Sequence, residues 1–197
     1  MNQNLLILVS SVSGGGKTSI VTAALERLPN FVKLITCTTR SLREHETAGK
    51  DYFFMSKDDF ELKIEEDYFL EWSEVYGNFY GTSLNEVERN LAAKKNCFLV
   101  VDVQGAEKIR KKKIPNLISV FIKPPSKSEL FKRLELRQTE TQESLNRRIR
   151  EYDKEIQAGE NFDFCFINNS LENTINDFVA LAEDQVNRLA DKDGTSS

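Results

Sequence analysis

The chain has 197 residues, 40% of them hydrophobic and 29% charged, with a formal net charge of −4. That is room for one sizeable core, alone or with small insertions, at the composition of an ordinary soluble domain. The acidic balance argues against nonspecific nucleic-acid binding. The apolar run Leu5–Val9 is too short to span a bilayer, and it lacks the basic segment that precedes a signal peptide's apolar stretch. Cys37, Cys97 and Cys165 are odd in number, far apart and in no C-x-x-C or His–Cys cluster. We therefore expect reduced core thiols in a cytoplasmic protein, without a disulfide frame or a zinc site.

In chain order, Leu5–Val9 reads as a strand. It runs into the stretch Ser11-Val12-Ser13-Gly14-Gly15-Gly16-Lys17-Thr18-Ser19 and a helix from Thr18 to Leu28, ended at Pro29-Asn30. Phe31–Cys37 reads as a second strand. The polar stretch Thr38–Asp51 is long for a plain connection and holds Arg40, Arg43, His45 and Glu46. Tyr52–Phe54 is a short strand, Ser56 caps a helix of about ten residues, and Phe69–Tyr80 alternates around Gly77-Asn78 as a hairpin. A helix over Ser83–Lys95 follows. Cys97–Val103 has the unbroken apolar run of an interior parallel strand. Gly105–Lys113 is a short helix with the basic run Arg110–Lys113 as its solvated end, and Leu117–Ile122 is a strand stopped by Pro124-Pro125. Ser126 caps a helix whose stripe of Leu130 and Leu134 continues into Arg137. After a break at Thr139–Thr141, a second helix covers Glu143–Gln157. A strand over Phe162–Ile167 and a closing amphipathic helix complete the chain, with Asp191–Ser197 as a disordered tail.

Alternating strands and helices imply an α/β body, a parallel sheet with helices on both faces and ligands at the carboxyl ends of its strands. The stretch over residues 1–190 is expected to be one domain. Its core comprises 1–35, 83–125 and 160–190, a small mixed-β insertion covers 36–82, and a helical lid covers 126–159. Strand, glycine loop and helix together form the setting of a phosphate-binding loop. Small residues let amide N–H groups curl around phosphate oxygens, and the helix N-terminus adds its positive end. Lys17 would reach the β- and γ-phosphates, and the Thr18 hydroxyl would ligate Mg²⁺. Ser11 stands where the motif G-x-x-x-x-G-K-[ST] has glycine, so a glycine-rich turn with a chance Lys-Thr remains the competing reading. A dinucleotide fingerprint cannot be written across Gly14–Gly16.

Several ordered segments together resemble the guanylate kinases. They are the glycine loop, Thr38-Thr39-Arg40-Ser41-Leu42-Arg43, Asp51-Tyr52-Phe53-Phe54, Phe69-Leu70-Glu71-Trp72, Tyr76-Gly77-Asn78-Phe79-Tyr80-Gly81-Thr82, Asp102-Val103-Gln104-Gly105 and Ile122-Lys123-Pro124-Pro125-Ser126. Arg137 with Thr139-Glu140-Thr141, followed by Asn146-Arg147-Arg148, resembles that family's lid. The resemblance implies Mg²⁺-dependent transfer of the ATP γ-phosphoryl group to GMP. It implies Arg40 and Arg43 on the GMP phosphate, with help from Tyr52 and Tyr80. It implies Glu71 as reader of the guanine N1–H and 2-amino donors, with Thr36, Thr82 and Asp102 beside it. Arg137 and Arg148 become lid arginines that neutralise developing charge, and Asn168 a residue near adenine. Arg147 and Arg150 read as helix-surface ion-pair partners instead, and His45 as an exposed loop residue without a role. Two further departures from the family pattern stand out. Gln138 replaces the glycine after the lid arginine. Val100 replaces a carboxylate two residues before Asp102, which leaves Asp102 to serve both metal and guanine.

Two other functions are weighed against this one. A phosphopeptide-binding module of the same shape would use Arg40, Arg43 and Tyr80 without catalysis, but the Lys17-Thr18 pair is intact. A kinase for another nucleoside monophosphate would not need Glu71. The partners expected are small nucleotides, with no nucleic acid and no membrane. The oligomeric state, monomer or homodimer, is left open.

Overall fold

A computed structural model describes residues 4–44, 46–135 and 142–194, with side chains outside 135–148 and 193–194. The body is a five-stranded parallel sheet in the order β2-β7-β1-β8-β9. These strands are β1 Leu6–Ser11, β2 Phe31–Lys33, β7 Asn96–Val100, β8 Leu117–Lys123 and β9 Phe164–Ile167. Every residue of β1 is buried, as a strand covered on both faces requires. Alternation divides it between two cores. Leu6 and Leu8 join Leu99 and Phe121, under α4 (Val103–Lys111), α5 (Lys127–Glu135) and α6 (Gln142–Gly159). Ile7 and Val9 join Phe98, Val120 and Ile122, under α1 (Lys17–Arg27) and α7 (Leu171–Gly194).

A second, mixed sheet runs β4-β3-β6-β5: Tyr52–Phe54, Thr36–Thr38, Asn78–Ser83 and Phe69–Val75. Helix α2 (Lys57–Glu65) closes its back by stacking Phe60 on Phe69, centroids 4.3 Å apart. Ser56 caps α2 as expected, its hydroxyl accepting from the Asp59 amide at 3.0 Å. The hairpin turn is Tyr76-Gly77, both left-handed at φ 53° and 79°, the pair of positive angles a tight two-residue turn needs.

The expected single strand over Phe31–Cys37 is two strands in two different sheets. The Leu34 amide makes its bond to the Phe98 carbonyl at 2.9 Å, and by Thr36 the chain pairs with Tyr52. The apolar run is continuous because both sheets bury it; only its partner changes. The first turn of α3 (Leu84–Ala92) holds this crossover. Ser83 caps that helix through the Glu86 amide at 3.1 Å, and the buried Glu86 carboxylate accepts from the Ile35 amide at 3.2 Å.

Other expectations shift as well. Strand β7 stops at Val100, and Asp102 is the N-cap of α4 rather than a strand end. Helix α7 continues through Gly194, so Asp191–Gly194 belong to a helix and not to a disordered tail. Cys37 and Cys97 are buried, but Cys165 is exposed on the edge strand β9. Arg110 is not simply solvated: it lies 5.1 Å from the Phe162 ring centroid and donates to the Asn161 carbonyl. His45 and the break at 139–141 lie outside the described residues. Among the described residues, no helix is long and apolar enough to cross a membrane.

Candidate active site

The carboxyl ends of β1 and β7 open into a cleft of about 580 Å³ that the second sheet faces from across. The glycine loop forms one wall. Gly14 and Gly16 are left-handed at φ 91° and 99°, conformations that strain any residue with a Cβ. Gly16 is the N-cap of α1 and brings no side chain to the first-turn amides. The positive end of that helix therefore faces the cleft, with Lys17 and Thr18 on the lining. The loop is packed from behind. A Cβ on Gly14 would lie 2.7 Å from Leu134, and one on Gly16 would lie 2.6 Å from Asn168 Nδ2. Asn168 is 4% exposed, and its amide donates to the Gly15 carbonyl at 3.1 Å. Ser11 replaces glycine without opening the turn, since its hydroxyl donates to the Val12 carbonyl at 2.7 Å.

Opposite the loop stands Glu71 on β5, 5% exposed. The Thr82 hydroxyl donates to its Oε1 at 2.7 Å. Burial pushes the Glu71 carboxyl up to about 7, and the Thr82 hydrogen bond offsets part of the shift. Its Oε2 is packed against Gly105 of α4 so closely that a Cβ there would lie 2.7 Å away. Asp102 accepts from the amides of Gln104 at 2.8 Å and Gly105 at 3.1 Å, and from the Ser73 hydroxyl. Both carboxylates face the cleft, with Thr36 alongside. A buried acceptor near neutrality suits a ligand that presents adjacent N–H donors. Such donors would favour the charged form and repay its desolvation.

Between these walls lies a cationic corner. Arg40 makes a two-pronged ion pair with Glu46, at 2.7 and 2.8 Å, with its guanidinium 5.2 Å from the Tyr52 ring centroid. That carboxylate holds Arg40 above its usual range, and Arg40 in turn holds Glu46 below the ordinary carboxylate value. Glu46 also accepts from the Arg43 amide at 2.9 Å, so one carboxylate sets both arginines. Tyr52 and Tyr80 meet edge to face at 6.1 Å, and burial raises the Tyr52 phenol.

The family model for guanylate kinase matches residues 2–185. The chain belongs to the guanylate kinase family. It is similar to guanylate kinases of Rubrobacter xylanophilus (36% identity over 181 residues, 92% of this chain and 94% of that one) and Haemophilus influenzae (39% over 188 residues, 94% and 90%). Its fold is similar to the crystal structure of guanylate kinase from Anaplasma phagocytophilum, with a TM-score of 0.76 at 28% identity, covering 94% of this chain and 87% of that one.

In this guanylate kinase fold, Ser11, Ser13, Gly14, Lys17, Thr18, Thr36, Arg40, Arg43, Tyr52, Glu71, Tyr80 and Asp102 all line the one cleft. Thr82 does not: it is fully buried and serves Glu71 from behind. Val12 is likewise buried, and Asn168 is turned onto the loop backbone rather than onto the cleft lining. Arg137 and the side chain of Arg148 lie outside the described residues. Sequence reasoning missed Glu46, Gly105, Lys108 and Glu155. Lys108 donates to the Trp72 carbonyl, stands 4.8 Å from the Trp72 ring centroid and draws the Glu71 carboxyl down. Glu155 of α6 accepts from the Ser13 amide at 3.2 Å. Each of the four sits in a charged or glycine-bearing stretch where nothing local distinguishes it from a solvated neighbour.

Proposed function

We propose that this chain catalyses the reaction its family is named for, moving the γ-phosphoryl group of ATP to GMP to give ADP and GDP. What carries the reading is the presence in one cleft of a glycine cradle and a buried carboxylate reader, Glu71, with Arg40 and Arg43 between them. The core sheet would hold ATP, the sheet over residues 36–83 would hold GMP, and residues 126–159 would serve as the lid. Glu71 would accept from guanine N1–H and the 2-amino group. Adenine offers an acceptor at N1, which would face the carboxylate unfavourably. Arg40 and Arg43 would grip the GMP phosphate, the planar forks matching its oxygens.

The attacking group is a phosphate oxygen, already anionic at neutral pH, so no strong general base is required. Catalysis then consists of alignment and charge neutralisation around a loose transition state. Lys17 would hold the β- and γ-phosphates, and Arg137 and Arg148 would neutralise the charge from the lid side. Thr18, on the cleft lining, would offer its hydroxyl to Mg²⁺, which when bound would neutralise the phosphate oxygens. Among the described residues no group of three acidic, His or Cys side chains could hold a metal unaided. That donor set fits a cation held chiefly by nucleotide phosphates and water, the ordinary way Mg²⁺ is bound beside nucleotides.

The test is ADP release with MgATP and GMP, AMP, CMP or UMP in turn. Turnover with GMP alone is the expected result. Turnover with another acceptor overturns the role given to Glu71. None with any acceptor favours a phosphopeptide-binding module.

A further inference from the structure

Glu155 reaches the phosphate loop from α6, seven residues after Arg148 on the same helix. Its Oε2 accepts from the Ser13 amide at 3.2 Å, and it lines the cleft beside Lys17. Burial raises its carboxyl, and the Ser13 hydrogen bond and the Lys17 charge offset part of that rise. The Ser13 amide belongs to the loop whose N–H groups are shaped to receive an anion. A carboxylate offers that loop an oxygen acceptor and one negative charge. A nucleotide's phosphates offer more of both, and the same amide cannot serve the two together in that geometry. Like charge also sets Glu155 against an incoming phosphate in a partly desolvated place.

We infer that Glu155 is an internal stand-in for phosphate: it holds the Ser13 amide in the empty protein and is displaced from the loop by nucleotide. Glu155 is thus a positioning residue. Its contact ties α6 to the loop when no nucleotide is bound, and its displacement removes that one tie between the loop and the helix that carries Arg148. The inference rests on the reading that this loop holds ATP.

The probe is MgADP, with binding followed by calorimetry for the unsubstituted protein, Glu155→Ala and Glu155→Gln. An internal competitor lowers apparent affinity by the fraction of time it occupies the site. Glu155→Ala is therefore expected to bind MgADP about five- to tenfold more tightly. Glu155→Gln, which keeps an oxygen acceptor without the charge, should fall between, and GMP affinity should change less than about twofold in both. In hydrogen exchange, the Ser13 amide should be protected in the empty unsubstituted protein and lose that protection in empty Glu155→Ala. A residue that merely supports the loop would weaken MgADP binding when removed. Unchanged or weaker MgADP binding by folded variants overturns the inference and leaves the loop assignment standing. Failure of the unsubstituted protein to bind MgADP overturns both. Should Glu155→Ala not fold, the near-isosteric Glu155→Gln decides alone.

Discussion

Replacing Glu71 by Gln should make the protein more stable and less active, with the gain in stability confined to one side of neutrality. Burial raises the folded carboxyl from its ordinary 4.5 to about 7. Between those values the folded state holds a proton that the unfolded chain has released. Stability of the unsubstituted protein therefore falls as pH rises through this window. The gap between those two values, at 1.36 kcal/mol per pH unit, comes to about 3 kcal/mol lost between about pH 4 and pH 8. Gln has nearly the same shape, carries no charge, and can still accept from Thr82, so that loss disappears in Glu71→Gln. The two proteins should be of similar stability near pH 4, and the variant the more stable by about 3 kcal/mol near pH 8. Groups that titrate in both proteins cancel in the difference. Guanine recognition moves the other way. Hydrogen bonds to a charged acceptor contribute about 1.5–3 kcal/mol each, so losing the carboxylate should lower kcat/KM for GMP by at least about a hundredfold. The assays are urea unfolding from pH 4 to 8.5 and initial rates at varied GMP. A variant that is less stable than its parent at pH 8 refutes the account of burial; one that keeps its kcat/KM for GMP refutes the account of recognition.

Three other outcomes follow from the proposed roles. Lys17→Ala and Arg148→Ala should each lower turnover by about a hundredfold or more while Tm barely moves, and a calorimetric scan beside the rate assay checks both. Gly105→Ala puts a methyl group 2.7 Å from Glu71 Oε2. The overpacking should cost about 1–3 kcal/mol, seen as a lower Tm and a raised KM for GMP with KM for ATP unchanged. Glu46→Ala releases Arg40 and the Arg43 backbone together, so KM for GMP should rise more than kcat falls. Because Arg40 depresses the Glu46 carboxyl, the stability Glu46 contributes is present above about pH 4.5 and lost below it. The variant's stability should be flatter in acid than its parent's.

The parts of the site legible in the sequence were those whose chemistry is local. The glycine loop declares itself because strand, turn and helix lie side by side in the chain. Ser56 shows its capping role three residues ahead of Asp59, and the hairpin is marked by Gly77. What stayed hidden depends on distant partners. The division of Phe31–Cys37 between two sheets could not be seen, because buried strands read alike whichever neighbour they bond. Which way Thr82 and Asn168 turn is decided by Glu71 and by the Gly15 carbonyl, partners far away in the chain. Glu46 and Glu155 look like any other carboxylate in a polar stretch until folding brings Arg40 to one and the Ser13 amide to the other.

The crossover at Leu34–Ile35 and the return at Ser83 meet at a single place, the first turn of α3, where Glu86 holds the outgoing strand and Ser83 caps the helix. Both backbone passages between the two layers are thus anchored to one short axle. A rotation about it would carry Glu71 and the arginine corner as a unit relative to the glycine loop, leaving the hydrogen bonds within each sheet intact and straining those that cross between the layers, Ser73 to Asp102 and Lys108 to the Trp72 carbonyl. The separation between donor phosphorus and acceptor oxygen then becomes a hinge coordinate rather than a fixed length. On the proposed assignment of the two layers, mutation could refit the sheet that carries Glu71 to another base while leaving the glycine loop untouched.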